Sequence, residues 1–162
     1  MLLSLDLATK TTGYAVFDGD GKLIDYGELK TSLKDKKLRM LKMKELIIEK
    51  IEEYSIDLIA TEIEREYLGS LWEYKTARTL NTMQGVLLCT CDDLSIPLLP
   101  ISIASWRSLY KINQKKGRDY CKEKAKAIAR KQYKVEAVSD DTAEAILIGG
   151  FVIKNLNKLL TK

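Results

Sequence analysis

The stretch that decides the fold is LSLDLATKTTGYAVFDGDGKL, residues 3–23. Two short apolar segments, 2–7 and 12–18, are rich in Leu, Val and Tyr, and the Asp-Gly-Asp-Gly run at 18–21 is a strong turn signal. A third segment, with alternating apolar and polar residues, follows at 22–29. This pattern predicts a meander of three antiparallel strands.

The first of these strands carries an acid, Asp6, among residues that would otherwise be buried. An unpaired carboxylate in a protein interior is costly, or else it takes up a proton. Lys10 could pair with Asp6 only if its side chain folded back across the strand. Asp6 is therefore the first candidate for a functional residue.

Downstream of the meander, the periodicity of apolar residues predicts alternating helices and strands. The expected elements are a helix over 32–54, a strand over 56–61, a helix over 70–93, a strand over 96–103, a basic loop over 106–120, a helix over 121–132, and a last helix that begins at Ser139 or Asp140 and runs towards 160. This order predicts an α/β fold, with a mixed sheet covered by helices on both faces, in a single domain over 1–162.

Composition excludes several kinds of catalysis. The chain has 162 residues, a net charge of +4 and no histidine, which rules out Ser-His-Asp and Cys-His catalysis and zinc sites with His ligands. Its three cysteines have a poor spacing for a zinc knuckle or a disulfide framework, so we expect free thiols. With neither a secretory leader pattern nor a membrane-spanning apolar run in the sequence, we expect a cytoplasmic protein with no membrane partner.

Four more acids stand where a fold could gather them with Asp6. Glu62 ends the segment IDLIATE, and Asp140, Asp141 and Glu144 open the last helix. Each has a structural explanation too, because acids favour the first turn of a helix and Glu62 could simply meet solvent. If they converge, a cation must relieve their repulsion, and Mg²⁺ or Mn²⁺ prefers oxygen ligands and needs no imidazole. Two such ions can hydrolyse a phosphodiester.

Basic residues gather around Gly117, ahead of the helix predicted over 121–132. Lys and Arg neutralise phosphates where a protein binds DNA, although a basic loop can also be merely solvated. Beside a carboxylate cluster, phosphate binding is the favoured interpretation. The candidate DNA contacts are Arg107, Lys111, Lys115, Lys116, Arg118 and Lys122, of which the last is also a candidate to lie near the cleaved phosphate.

Three motifs, in order along the chain, resemble the RuvC family of Holliday junction resolvases, within the ribonuclease H-like superfamily. Asp6 is followed by Thr12-Gly13-Tyr14, Glu62 ends the fourth predicted strand, and Asp141-Thr142-Ala143-Glu144-Ala145 lies in the last helix. The resemblance covers nearly the whole chain. It implies a ribonuclease H-like sheet of five strands, three antiparallel and then two parallel.

The same resemblance implies a metal-dependent endonuclease that acts as a homodimer on four-way or other branched DNA. It implies two Mg²⁺ ions in each active site, replaceable by Mn²⁺, and no nucleotide cofactor. By carry-over, Asp6, Glu62, Asp141 and Glu144 would be both catalytic residues and metal ligands. Asp140 is the alternative to Asp141, because it too shares a helix face with Glu144.

The sequence departs from the family pattern in three places. Leu7-Ala8 stands where the family commonly has Pro-Gly, and Glu144 stands where the final acid is usually Asp. The family also carries an aromatic or apolar residue that contacts the junction just after the strand-four Glu, and here Arg65 stands there, with Tyr67 and Leu68 beyond it. Compact forms of the family occur in bacteriophages, so a phage origin, and action in the cytoplasm of a bacterial host, are expected.

Two other functions remain open on the sequence. Actin-like sugar kinases and ATPases also begin with an Asp-containing strand and hairpin, but they use two domains and a Gly where Ala8 stands. A non-catalytic protein that binds branched DNA would have no need of acids in all three segments.

Overall fold

A computed structural model of the protein describes residues 1–63, 71–136 and 138–159. Its centre is one sheet of five strands in the order β3-β2-β1-β4-β5. The strands are β1 (Leu2–Asp6), β2 (Thr11–Phe17), β3 (Leu23–Lys30), β4 (Leu58–Ile63) and β5 (Leu98–Ser102). β1, β2 and β3 pair antiparallel, whereas β4 runs parallel to both β1 and β5. The predicted fold class, a mixed sheet of three antiparallel and two parallel strands, is confirmed.

Five α-helices are described around this sheet. They are α1 (Lys36–Tyr54), α2 (Leu71–Asp93), α3 (Ile103–Leu109), α4 (Arg118–Tyr133) and α5 (Asp140–Leu159), with a short 3₁₀ turn over Gln114–Lys116. None of the helices within the described ranges is long and apolar enough to cross a membrane.

The prediction of a loop over 106–120 was wrong in part, because most of α3 and the start of α4 lie there. α3 has only seven residues, and the Ser102 side chain caps it by accepting a hydrogen bond from the backbone N–H of Ser105. Its one buried residue is Trp106. A helix of two turns with a single buried side chain has no apolar repeat from which periodicity could reveal it.

The sheet has an apolar core on each face, and successive residues of β1 alternate between them. Leu3 and Leu5 belong to the core beneath α1 and α2, whereas Leu2 belongs to the core beneath α4 and α5. The Ser4 hydroxyl donates a hydrogen bond to the carbonyl of Ala145 in α5, at 2.8 Å. Because side chains alternate along a strand, Asp6 lies on the same face as Ser4, towards α5.

Small residues allow α5 to approach the sheet closely. Gly13 in β2 is paired with Asp6, and a Cβ atom at Gly13 would overlap the carbonyl group of Asp141. Further along, a Cβ at Gly149 would overlap the ring of Phe17. Gly149 therefore lets α5 pack closely on the sheet, and Gly13 extends that packing to the point where α5 begins.

Candidate active site

Asp6 and Glu62 lie side by side near the ends of two adjacent strands. β1 and β4 run parallel with Leu5 opposite Thr61, so Asp6 and Glu62 are the next residue of each strand. Paired residues of parallel strands project from the same face of a sheet. The strand register alone therefore places these two carboxyl groups at one edge of the face that α5 covers.

The first turns of α5 bring further carboxylates to this edge. Ser139 caps the helix by accepting a hydrogen bond from the Thr142 backbone N–H, and the Thr142 hydroxyl donates to the carbonyl of Gly27 in β3. These bonds fix the direction in which the start of α5 faces the sheet. Acids and bases meet in a cavity of 440 Å³, whose charged lining residues are Asp6, Glu62, Arg107, Arg118, Lys122, Asp140, Asp141 and Glu144.

The electrostatics of Asp6 reflect this gathering of charge. Burial raises the pKa of Asp6 well above its ordinary value, and the Glu144, Glu62 and Asp141 carboxylates raise it further. Only Arg107 acts in the opposite direction among the principal contributors. Burial likewise raises the pKa of Asp141 and of Glu144. The cavity is thus a place where negative charge is held at a free-energy cost that a cation would relieve.

Two neighbouring residues of α3 contact two of these acids. The indole N–H of Trp106, a side chain with no exposed surface, donates to Glu62 Oε2 at 2.7 Å. The guanidinium of Arg107 lies with Nη2 at 3.2 Å from Glu144 Oε1 and stacks on the Trp106 ring, 4.9 Å from its centre. α3, the helix that periodicity did not reveal, therefore ties the acid of β4 to the acid of α5.

Comparison with solved structures identifies the fold. A T. thermophilus RuvC in complex with a Holliday junction substrate superposes with a TM-score of 0.73 at 13% identity, covering 97% of this chain and 94% of that one. The yeast mitochondrial Holliday junction resolvase Ydc2 gives 0.59 at 19% identity, over 99% and 80% of the two chains. The fowlpox virus resolvase bound to Holliday junction DNA gives 0.54 at 13% identity, over the whole of both chains.

The chain has the ribonuclease H-like fold of these resolvases. The resemblance to RuvC inferred from three short motifs is thus confirmed at the level of structure. No protein-family model and no curated protein sequence matches the chain. At identities below one fifth, the shared property is the fold, and the chemistry has to be argued from the residues that this ribonuclease H-like chain places in its cavity.

Asp140 and Asp141 are neighbours with different surroundings. Asp140 accepts from Lys122 Nζ at 2.6 Å and from Lys126 Nζ at 3.1 Å, and its hydrogen bond with Lys122 lowers its pKa. The pKa of Asp141 is raised by burial, against the opposing charge of Lys122. Asp140 is already satisfied by two lysines of α4, which makes Asp141 the better-placed acid to meet a cation beside Asp6.

The donor chemistry of the cavity suits a hard divalent ion. Its acids offer only carboxylate oxygens, the ligands that Mg²⁺ and Mn²⁺ prefer. As the side chains stand, no three of the described Asp, Glu or Cys residues are gathered at ligand distance around one point. Glu62 and Glu144 are instead held by the N–H groups of Trp106 and Arg107.

The six predicted DNA contacts divide into two groups. Arg107, Arg118 and Lys122 line the cavity with the acids. Lys111, Lys115 and Lys116 are exposed outside it, between α3 and α4, and Lys116 Nζ lies 5.0 Å from the ring centre of Tyr120. The structure therefore brings half of the basic set to the carboxylates and leaves the other half on the adjoining surface.

The predictions for the residues just after Glu62 concern a segment that lies outside the described residues. Arg65, Tyr67 and Leu68, considered for contact with the junction, fall in the undescribed segment.

The contacts of Trp106 and Arg107 with the glutamates were not predicted from the sequence. The one signal for them in the sequence is Ser102, because serine favours the N-cap of a helix and a helix that begins after Ser102 would contain Trp106 and Arg107.

Proposed function

We propose that this chain is a metal-dependent endonuclease that resolves Holliday junctions and other branched DNA. One observation carries the proposal: carboxylates from three separate segments, Asp6 from β1, Glu62 from β4 and Asp141 with Glu144 from α5, line a single cavity. Gathering four acids in one place opposes folding, so such an arrangement is typical of a site that meets a cation. The fold is shared with structures that hold Holliday junction DNA.

Asp6, Glu62, Asp141 and Glu144 are the residues that would hold Mg²⁺, or Mn²⁺ in its place, with two ions in each site. When bound, two such ions supply an activated water for in-line attack on the phosphodiester and stabilise the leaving oxygen. The chain contributes the positions of the ligands. Asp6 and Glu62 are fixed by the pairing of β1 with β4, and Glu62 is oriented by the Trp106 indole.

The basic residues divide the work of binding DNA. Arg118 and Lys122 line the cavity and meet the phosphates closest to the acids. Lys111, Lys115 and Lys116 extend the positive surface to more distant phosphates. Arg107 belongs to the same set, but it reaches a phosphate only after its guanidinium leaves Glu144.

A homodimer is part of the proposal, since two sites are needed to cut a four-way junction symmetrically. Sedimentation equilibrium of the purified chain tests it directly. A species of twice the chain mass of 18.4 kDa is expected, and a monomer at all concentrations up to those used for cleavage would contradict it.

The experiment for the proposed activity is incubation with a labelled four-way junction, with and without Mg²⁺. Paired cuts are expected only with the ion. Asp6→Asn should lower the cleavage rate by more than about 100-fold, because losing a ligand costs more than losing a residue that orients one. It should leave junction binding intact, since it removes a negative charge from beside the phosphates.

The matched control is Asp93→Asn, which changes an exposed acid at the end of α2 and should cleave as the wild type does. Normal cleavage by Asp6→Asn would contradict the catalytic role. Junction binding without any cleavage would favour the non-catalytic DNA binder. ATP hydrolysis in the absence of DNA would favour the alternative of an actin-like kinase or ATPase domain that transfers phosphate.

The exposed lysines are tested by binding instead of cleavage. Lys115→Ala combined with Lys116→Ala should weaken junction binding and reduce the slope of log affinity against log salt by about 2, because each phosphate contact contributes about one counter-ion. Fluorescence anisotropy over a range of salt concentrations measures both. An unchanged slope would remove these two lysines from the DNA interface.

A further inference from the structure

Arg107 is a cation built into a cavity of acids. Its Nη2 lies 3.2 Å from one carboxylate oxygen of Glu144 and 3.4 Å from the other. Its side chain is only 18% exposed, and its Cζ atom lies over the ring of the buried Trp106, 4.9 Å from the ring centre. The guanidinium is therefore held where it offsets the charge of Glu144.

The rest of the Arg107 side chain is less well satisfied. Its Nε atom is buried without a hydrogen-bond partner within the described part of the structure. Arginine usually pairs with a carboxylate through two parallel hydrogen bonds, whereas here both oxygens of Glu144 are approached by one nitrogen. Charge, more than hydrogen-bond geometry, holds Arg107 in place.

The neighbouring Trp106 contact has the opposite character. The indole N–H donates a single short bond to Glu62 Oε2 from a ring that is completely buried. It carries no charge, so it does not offset the negative charge of that carboxylate as a guanidinium would. A donor of this kind orients a ligand without competing for it.

Resting on the function proposed above, we infer that Arg107 is an exchangeable counter-ion of the acidic cavity: it pairs with Glu144 until a divalent cation takes that carboxylate. Trp106, in contrast, keeps Glu62 in place throughout. Both are positioning residues, and they affect cation binding in opposite directions. A guanidinium and a divalent ion repel each other and compete for the same two oxygens, so removing the guanidinium favours the ion.

Calorimetric titration of Mn²⁺ into the full chain, without DNA, separates these effects from activity. Arg107→Met should bind Mn²⁺ about tenfold more tightly than the wild type, because a positive charge has been removed from beside the ion. Trp106→Phe should bind it about tenfold more weakly, as expected when a group that orients a ligand is lost. Arg107→Lys, which keeps the charge, should fall between the wild type and Arg107→Met.

The matched control is Arg130→Met, which removes an exposed arginine from α4 and should leave Mn²⁺ affinity unchanged. Unchanged or weaker binding by Arg107→Met would overturn this inference while leaving the proposed function standing. A wild-type chain that takes up no Mn²⁺ would overturn both.

A second measurement follows the wild-type chain and uses variants only to assign two signals. In ¹⁵N spectra of the wild-type chain, the Arg107 Nε–H signal is the one missing from Arg107→Lys, and the Trp106 indole signal is the one missing from Trp106→Phe. Titration with Mg²⁺ should shift both signals, because the guanidinium leaves Glu144 as Glu62 takes up the ion. An Arg107 signal that stays fixed while the indole signal moves would overturn the exchange.

Discussion

Two aspartates on the central sheet, Asp25 and Asp6, show what distinguishes a structural acid from a candidate functional one. Asp25 in β3 accepts hydrogen bonds at 2.9 Å from the hydroxyls of both Tyr14 and Tyr54, and at 3.3 Å from Lys50 Nζ. Burial opposes its ionisation, but these bonds outweigh it and lower the pKa of Asp25. The hydrogen bond that Tyr54 donates to Asp25 also raises the pKa of Tyr54 to about 12.

Asp6 in β1 has the reverse surroundings. Burial is the largest influence on it, and the next three are other carboxylates, so its pKa is raised. The difference teaches that burial alone does not mark a functional acid, since both residues are partly buried. What marks Asp6 is that its neighbours carry the same sign of charge. A buried acid among like charges is a candidate for a functional site.

The largest effect is expected at the glycine on which the acidic cavity depends. Gly13→Ala would place a Cβ against the Asp141 carbonyl and push the start of α5 away from β1. The free energy of unfolding should fall by about 3 kcal/mol, measured by urea denaturation, since overpacking against backbone cannot be relieved by a rotamer change. Binding of Mn²⁺ should be lost as well.

Gly19→Ala is the control for that substitution, because a Cβ there has no atom of the described residues within 4 Å. It should change stability by less than about 0.5 kcal/mol. If the two alanine variants proved equally stable, the close approach of α5 to β2 would not be needed, and the acidic cavity would have another origin.

Next in size is the structural acid. Asp25→Asn leaves two tyrosine hydroxyls and Lys50 facing a neutral amide, so the free energy of unfolding should fall by about 2 kcal/mol at pH 7.5. Urea denaturation measures this as well. Junction cleavage, assayed below the unfolding transition, should be retained, because Asp25 does not line the acidic cavity. Lost cleavage in a folded Asp25→Asn variant would break the distinction between the two aspartates.

The smallest effect has the opposite sign. Asp6→Asn removes one of several like charges, so without divalent ions at pH 7.5 the melting temperature should rise by about 3 °C. Thermal denaturation followed by circular dichroism measures it. A lower melting temperature would show that the carboxylate is satisfied within the protein and that Asp6 resembles Asp25 after all.

The pH dependence of these two variants sharpens the comparison further. The folded pKa of Asp6 is raised, so the stability linked to its protonation is complete below its ordinary pKa of 3.8 and is lost as pH rises through the folded pKa. The rise in melting temperature that Asp6→Asn causes should therefore become smaller as the pH falls towards 4. The pKa of Asp25 is lowered, so its contribution is present above 3.8 and is lost as pH falls through the folded pKa. The loss in the free energy of unfolding that Asp25→Asn causes should accordingly become smaller only at acidic pH.

Local patterns were enough to predict most of the fold. The turn residues at 18–21 and the alternation around them indicated the meander, and the stripe of Met40, Met43 and Ile47 indicated α1, which begins at Lys36 after the capping Asp35. These signals work because strand alternation and helix periodicity are properties of neighbouring residues. α3 escaped prediction because seven residues with one buried side chain provide no period to detect.

Asp6 could also be picked out from the sequence, because a charged residue inside an apolar strand is conspicuous. Glu62, Asp141 and Glu144 became candidates only together with Asp6, since each by itself has a structural explanation. Their role as metal ligands stays a prediction. The choice between Asp140 and Asp141 could not be made from spacing, since both share a helix face with Glu144. It depends on Lys122 and Lys126, which belong to another helix and which, of these two aspartates, contact Asp140.

By itself, the sequence determined the order of the strands and of every helix except α3, the absence of imidazole chemistry and the identity of the unusual acids. Only the tertiary structure decided that Glu62 meets Trp106, that Glu144 meets Arg107, and that the start of α5 lies against Gly13. The physical reason is the distance over which each kind of interaction acts. Periodicity and turn chemistry act over a few residues, whereas a charge acts through space on whatever the fold brings near it.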